Sequence, residues 1–138
     1  MVTDPRENYA RHLEGIFEQR AHHPFLVSGF DDRSATYGHA WDTSRRIAGW
    51  LSELGVNEGA PVAFSSPNDI DLALCYLASM HISARIVPLN PQLSDADRRA
   101  ILAANKPGLI VTAPGLAEET ATLAETASPA ATVVSGAE

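Results

Sequence analysis

Apolar residues recur every three or four positions in one long segment of the chain, which is the spacing of a single helix face. The segment covers residues 36–55, and its charged residues fall on the other side of the predicted helix. The residues on the repeating face are Tyr37, Ala40, Trp41, Ser44, Ile47, Ala48, Leu51 and Leu54. Thr36 is suited to cap the start of this helix, and Gly55 is suited to end it.

Three further segments predict helices. They are residues 4–20 with Asp4 as the N-cap, residues 69–81 with Asn68 as the N-cap, and residues 94–104 with Ser94 as the N-cap. The middle segment is apolar on nearly every side, so we expect other elements to cover it on more than one face. His81 lies in its last turn, where it suits the negative end of the helix dipole, and we expect it to cap that end.

Short apolar runs of strand length lie between these helices, at residues 25–27, 62–64, 86–87 and 109–112. Strands that alternate with helices imply crossover connections and a mostly parallel sheet. The predicted fold class is therefore α/β, with three layers: a mostly parallel sheet and helices on both of its faces.

One α/β unit is predicted over residues 1–138, because a typical domain has about 150 residues. The 138-residue length also fits one part of a larger domain. Residues 113–138 form a weakly patterned acidic tail with four glutamates and no basic residue, a net charge of −4. The sequence of this tail allows a short helix over residues 116–127 and a strand over residues 132–134.

Charge and composition exclude several classes of function. The 10 basic residues against 17 acidic ones give a net charge of −7, and Lys106 is the single lysine, so a nucleic-acid-binding surface is not expected. Charged residues interrupt the first twenty positions, which argues against a secretory signal. The longest apolar uncharged run, residues 72–84, is shorter than the roughly 20 residues that cross a bilayer. We expect a soluble, cytoplasmic chain in which the lone Cys75 is a buried, inert thiol.

Residue types that carry chemistry are scattered rather than clustered. The nine glycines form no glycine-rich loop that could hold phosphate oxygens. His22 and His23 are adjacent and point in different directions, which makes them poor joint metal ligands. Ser65 and Ser66 follow a predicted strand, where open α/β sheets place ligand groups, but they lack the glycines of a nucleophile elbow.

The remaining polar candidates are interpreted as structural. His39 is expected at the surface, Lys106 in solvent and Arg85 at a sheet edge or beside an acidic residue. The pairs Arg45–Arg46 and Arg98–Arg99 are expected on exposed helix faces. No catalytic, cofactor-binding or metal-binding residue is assigned from the residues alone.

Three stretches of sequence, within about residues 10–112, carry a resemblance in their order and in the spacing between them. They are residues 35–40 (Ala-Thr-Tyr-Gly-His-Ala), residues 51–59 with Val62-Ala63, and Pro67-Asn68 with residues 84–91 beyond the apolar helix. In this order they resemble the amino-terminal part of adenylate-forming enzymes, the superfamily of acyl- and aryl-CoA synthetases, peptide-synthetase adenylation domains and luciferases. Ser83 stands where that family commonly has glycine, the residue that adopts a positive φ without steric cost.

The resemblance implies a parent enzyme that activates a carboxylic acid with ATP and magnesium and then transfers the acyl group to CoA or a carrier protein. The family's phosphate-binding loop, its magnesium-associated glutamate, its ribose-binding aspartate and its carboxy-terminal lysine all lie downstream of the matched region. We therefore expect an amino-terminal fragment or subunit that is inactive alone and has the rest of the ligase, or a complementary subunit, as its partner.

Exposed apolar surface is expected under this interpretation, mainly from the helix near residues 72–80, and with it self-association. Two alternatives stay open. One is a stand-alone, non-catalytic interaction or regulatory protein with the same fold. The other is a small nucleotide-binding α/β domain whose likeness to the ligases is accidental.

Overall fold

The computed structural model of the chain describes residues 5–135, with side chains from residue 11 onward. Its elements are α1 (Pro5–Gln19), β1 (Pro24–Val27), β2 (Ser34–Thr36), α2 (Tyr37–Glu53), β3 (Pro61–Ser65), α3 (Ile70–His81), β4 (Arg85–Pro88), α4 (Asp95–Asn105), β5 (Leu109–Thr112), α5 (Ala117–Ala127) and β6 (Thr132–Ser135). A 3-10 turn at Pro114–Leu116 precedes α5. The predicted helices and the four predicted strands are confirmed to within a few residues.

Four strands form one parallel sheet in the order β4-β3-β5-β6. Val62 of the central strand β3 lies opposite Ile86 on one side and Leu109 on the other. Both faces of this sheet are apolar, as is usual for parallel strands that are covered on both sides. From β3 the chain first adds β4 on one side and then crosses to add β5 on the other side of β3. The direction in which strands are added therefore reverses between β3 and β5.

Helices cover both faces of the sheet, which confirms the three-layer α/β prediction. Leu51 of α2 and Ala78 of α3 pack on one face with Val62 and Phe64. Leu102 of α4 and Leu123 of α5 pack on the other face, against alternate strand residues that include Ala63 and Ile110. A third cluster joins α1, α2 and α3 around Phe17, Trp41 and Leu74, so α3 is covered on more than one face as predicted.

The helix N-caps agree with the prediction in two cases and differ in one. The Thr36 hydroxyl accepts a hydrogen bond from the His39 amide, and the Ser94 hydroxyl accepts one from the Asp97 amide. The prediction of Asn68 as the cap of α3 is wrong: Asp69 has the extended backbone, and its Oδ1 accepts from the Leu72 amide at 2.9 Å. The predicted cap Asp4 lies outside the described residues.

The first predicted strand does not join the parallel sheet. β1 pairs antiparallel with β2, a three-residue strand that was not predicted, and the two form a separate hairpin. Only Ala35 of β2 is buried, so the strand leaves almost no hydrophobic signal in the sequence. The loop of this hairpin, residues 28–33, reaches the carboxyl edge of the main sheet.

The acidic tail is folded through residue 135. α5 packs against α4, and β6 pairs in parallel with β5 over its whole length. Within residues 5–135, none of the helices combines the length and apolar character needed to cross a membrane.

Candidate functional site

The carboxyl ends of β3 and β4 open into a groove with a volume of about 800 Å³. Three segments surround it: the hairpin loop 28–33, the connection 66–69 between β3 and α3, and the loop 88–92 after β4. This is the edge at which open parallel sheets place their ligands. Volumes of roughly 300–1,000 Å³ are typical of ligand clefts.

The floor of the groove is apolar. Phe64, at the end of β3, is 2% exposed, and its ring centroid lies 5.9 Å from that of Tyr76 in an edge-to-face arrangement. Leu72 and Leu89 complete the floor from α3 and from the loop after β4. Partial burial raises the pKa of the Tyr76 phenol, so it is a neutral hydrogen-bonding group at pH 7.

The rim of the groove is acidic. The Asp31 carboxylate accepts a hydrogen bond from the Arg33 amide at 2.9 Å, and this bond, with help from the Ser28 hydroxyl, lowers the pKa of Asp31. The Arg33 guanidinium is engaged by Asp71, with Nη2 donating to Oδ1 at 2.8 Å. Asp69 adds a further carboxylate, so the acidic side chains outnumber the basic one at this rim.

The loop that carries the rim is held by its own hydrogen bonds. The Ser28 hydroxyl accepts from the amides of Phe30 and Asp31 at 3.1 and 3.3 Å, and the Ser28 amide donates to the Arg33 carbonyl at 3.0 Å. The ion pair between Arg33 and Asp71 ties the loop to α3. Phe30 is presented at the tip of this loop with 88% of its surface exposed.

The two predicted candidate serines point to different places. Ser66 lines the groove, and its hydroxyl donates to the Pro67 carbonyl at 3.2 Å. Ser65 is fully buried on the α4/α5 side, where its hydroxyl accepts from Thr120 at 3.4 Å. Neither has a histidine partner among the described contacts, so the structure does not bring together a nucleophile and a base here.

The histidines are dispersed as well. His22, His23 and His39 are exposed, and His39 Nε2 lies 3.5 Å from the Thr43 hydroxyl. The prediction that His81 caps α3 is wrong, because Ile82 is the C-cap and the His81 ring bonds to Ser44 of α2 at 2.9 Å. Within the part of the chain that the structure describes, no group of three or more potential metal ligands lies together.

Cysteine 75 is half-buried between α3 and the sheet. Desolvation raises the pKa of the Cys75 thiol to about 11, with smaller contributions from Asp71 and Asp69. The thiol is protonated and weakly nucleophilic at neutral pH.

Four of the basic residues singled out from the sequence lie outside the lining of the groove. Lys106 is exposed just before β5, at the amino edge of the sheet and therefore at the end opposite the groove. Arg85 lies exposed on β4, at the edge of the sheet as expected, with its guanidinium 3.5 Å from the Asn105 carbonyl. Arg45 and Arg46 are exposed on α2.

The expectation that Arg98 lies on an exposed helix face is wrong. Arg98 is 2% exposed, and its Nη2 donates to Asp95 at 2.7 Å and to Glu119 at 2.8 Å. The Glu119 partner comes from α5, so the buried guanidinium joins α4 to α5. Sequence position alone gave no signal for this contact, because its partner lies 21 residues away.

The groove itself was also missed from sequence. One signal could have found it: Phe30 is a large apolar residue inside an otherwise polar turn, Ser28-Gly29-Phe30-Asp31-Asp32. Glycine, serine and aspartate are typical of such turns, whereas phenylalanine is not. Taken together, the groove can accommodate apolar groups, and its acidic rim disfavours anions such as phosphate.

Comparisons with known proteins identify the family. The chain is 29% identical over 99 residues to 4-coumarate–CoA ligase 5 of Oryza sativa subsp. japonica and 30% identical over 92 residues to 4-coumarate–CoA ligase CCL1 of Humulus lupulus. These matches cover 72% and 67% of this chain but only 18% and 17% of the relatives.

The fold agrees with that of a solved relative. The luciferase-like enzyme from the nonluminescent Zophobas morio mealworm superposes with a TM-score of 0.82 at 24% identity, over 91% of this chain and 30% of that one. The family model described as AMP-binding enzyme matches residues 13–137. The chain therefore belongs to the AMP-binding enzyme family and has the fold of the amino-terminal region of adenylate-forming enzymes.

Proposed function

We propose that this chain is an amino-terminal fragment or subunit of an ATP-dependent ligase that activates carboxylic acids, and that it is not catalytic by itself. The observation that carries the proposal is that the family match covers most of this chain but only a small part of the related ligases. The family match spans almost the whole chain, whereas the residues matched to the coenzyme A ligases make up less than a fifth of those enzymes.

In the complete enzyme, a carboxylate oxygen of the substrate would attack the α-phosphorus of ATP. The bond to the bridging oxygen would break, pyrophosphate would leave with the electron pair, and an acyl-adenylate would form. A thiol would then attack the acyl carbon, form a thioester and release AMP. We propose that groups outside this chain bind ATP and magnesium and, where CoA is the acceptor, CoA.

The chemistry of the described side chains supports this division of labour. Arg33 is engaged by Asp71, Arg98 is engaged by two carboxylates, and Lys106 lies at the opposite edge of the sheet from the groove. A developing negative charge on a phosphate needs oriented cations or amides close to it. This chain's role would then be structural: its sheet and the α2/α3 layer support the part of the ligase that holds the substrates.

One alternative function is favoured by a specific observation. A stand-alone interaction or regulatory protein with this fold would need an exposed, preorganised contact surface, and the hairpin loop with Phe30 is one. Such a protein would bind or regulate a larger ligase without contributing to its catalysis. Self-association through the apolar helix near residues 72–80 remains a prediction; of the large apolar residues in that segment, the structure leaves Met80 exposed, at 45%.

Pyrophosphate exchange into ATP tests the main proposal. The purified chain is incubated with ATP, magnesium, labelled pyrophosphate and a panel of carboxylic acids that includes 4-coumarate. We expect no exchange above that of a boiled sample, because Arg33 at the groove and Arg98 on α4 are engaged by carboxylates, and Lys106 lies at the opposite edge of the sheet. Exchange by this chain alone, in a preparation free of other enzymes, would overturn the proposal.

The intact mass of the natural gene product separates the two functions. A larger product whose additional sequence contains a phosphate-binding loop supports the fragment interpretation. A product of this size supports either a split ligase or the interaction protein. Restored pyrophosphate exchange on mixing with the complementary polypeptide then identifies the split ligase.

A further inference from the structure

We propose that the groove between the hairpin loop 28–33 and the loop 88–92 is the docking site for a segment of a protein partner, one that presents an apolar anchor flanked by lysine or arginine. The inference deepens the proposed function, because it names where the complementary polypeptide contacts this chain and with what chemistry. Only the identity of the partner rests on the proposed function.

A large exposed aromatic side chain lies beside the apolar floor of the groove. Phe30 is 88% exposed at the tip of the loop, next to a floor built from Phe64, Leu72 and Tyr76. Aromatic side chains that border a concave apolar surface are typical anchors of protein interfaces. A segment that inserts an apolar side chain between Phe30 and Tyr76 would remove both from water.

The loop is already in place to receive such a segment. Its hydrogen bonds through Ser28 and its ion pair between Arg33 and Asp71 hold the backbone of the loop that carries Phe30. A surface that is ordered in the free protein loses less conformational entropy on association.

The charge of the rim selects the partner. Asp31 and Asp69 line the groove together with Arg33, whose guanidinium is paired with Asp71 outside the lining, and Asp32 adds an exposed carboxylate to the same loop. Opposite charges at an interface rim steer association, whereas like charges oppose it. A second copy of this chain would bring an equally acidic rim and a net charge of −7, so the arrangement favours a basic segment of a different polypeptide.

Two synthetic peptides of the same length and core provide the test: acetyl-Lys-Leu-Phe-Leu-Lys-amide and acetyl-Glu-Leu-Phe-Leu-Glu-amide. Each is titrated into the full 138-residue, ¹⁵N-labelled chain while its amide shifts are followed by NMR. We expect the lysine peptide to shift amides of the segments 28–33, 66–72 and 88–92 and to bind about tenfold more tightly than the glutamate peptide. Raising the salt concentration should reduce this difference, because exposed charges are screened.

Two pairs of variants locate the interaction. Phe30→Ser removes the exposed anchor and should weaken binding of the lysine peptide about tenfold. Val27→Ser, which changes a 72% exposed residue of the same hairpin outside the groove, should leave binding unchanged. Asp31→Asn keeps the acceptor for the Arg33 amide but removes the charge and should reduce the preference for lysine, whereas Asp32→Asn, outside the lining, should reduce it less.

Several outcomes would overturn the proposal: equal binding of the two peptides, shifts centred on another surface, or equal effects of Phe30→Ser and Val27→Ser. A dimer in light scattering that Phe30→Ser dissociates would overturn it in favour of a second copy as the occupant. None of these measurements involves ATP. Failure of the docking site and failure of the ligase proposal are therefore read from separate experiments.

Discussion

Ser44 of α2 and His81 of α3 form a partly buried hydrogen bond between the two helices that cover one face of the sheet. Ser44 Oγ lies 2.9 Å from His81 Nε2, and the same hydroxyl donates to the Trp41 carbonyl at 2.8 Å. Since a hydroxyl has a single proton, His81 Nε2 must be the donor in the first bond. The imidazole also packs edge-on against Trp41, with ring centroids 4.4 Å apart.

This arrangement predicts loss of stability in mild acid. Desolvation lowers the pKa of His81, Arg45 lowers it further, and Glu14 opposes the shift. A histidine whose folded pKa is below its unfolded value contributes stability that is present above about pH 6.5 and is lost as the pH falls toward the folded pKa. We expect the melting temperature, measured by circular dichroism, to fall between pH 7.5 and pH 5.5.

The variant His81→Gln should remove most of this pH dependence, because glutamine can still donate to Ser44 but does not titrate in this range. His39→Gln, which alters an exposed histidine at the start of α2, is the matched control and should keep the wild-type profile. The pKa of Asp31 is also lowered, but this carboxylate loses its contribution to stability only at a more acidic pH, where it becomes protonated. An unchanged pH profile in His81→Gln would refute the assignment.

Local signals explain why much of the fold was predictable. Thr36 and Ser94 cap helices through amides three residues away, so the relevant contacts lie within one turn of sequence. At α3 both Asn68 and Asp69 are good capping residues, and the pattern alone could not choose between them. The burial of Arg98 depends on Glu119 in another helix, and the groove depends on loops that only the folded sheet brings together. The sequence pattern of a single helix or strand does not predict contacts with residues of another element.

The ion pairs of Arg98 with Asp95 and Glu119 predict that removing the carboxylates lowers the free energy of unfolding more than removing the guanidinium does. Replacing both partners, Asp95→Asn with Glu119→Gln, leaves a buried guanidinium uncompensated and should lower the free energy of unfolding by about 2–3 kcal/mol. Arg98→Met keeps the apolar stem, leaves two exposed carboxylates hydrated and should cost less. Urea denaturation of both variants measures the difference. A larger loss in Arg98→Met would contradict it.

Backbone conformation at Ser83 predicts a stabilising change. Ser83 has φ +53° between α3 and β4, in the region that side chains disfavour, and its carbonyl accepts from the Gly59 amide at 2.8 Å. Ser83→Gly should raise the free energy of unfolding by about 0.5–1 kcal/mol, because glycine adopts this conformation without steric cost. Ser52→Gly, in an exposed position of α2, should instead lower it by up to about 1 kcal/mol. Equal effects of the two substitutions on the urea midpoint would contradict the interpretation.

Two buried threonines at the α4/α5 side of the sheet should respond in opposite ways to the same substitution. Thr112 is 2% exposed, and its Oγ1 has no hydrogen-bond partner among the described residues, whereas the Oγ1 of Thr120 donates to Ser65. Thr112→Val replaces an unpaired buried hydroxyl by a methyl group of similar shape and should raise the free energy of unfolding by about 1 kcal/mol.

Thr120→Val breaks an existing bond and leaves Ser65 with one partner fewer, so it should lower the free energy of unfolding by up to about 1 kcal/mol. Because both substitutions are the same and both sites are buried, the change in hydrophobic volume is matched and the sign of the difference reports on hydrogen bonding alone. Urea denaturation monitored by tryptophan fluorescence provides the measurement. If Thr112→Val is the more destabilising of the two substitutions, the Thr112 hydroxyl has a hydrogen-bond partner in solution. The assignment of this hydroxyl as unpaired would then be incorrect.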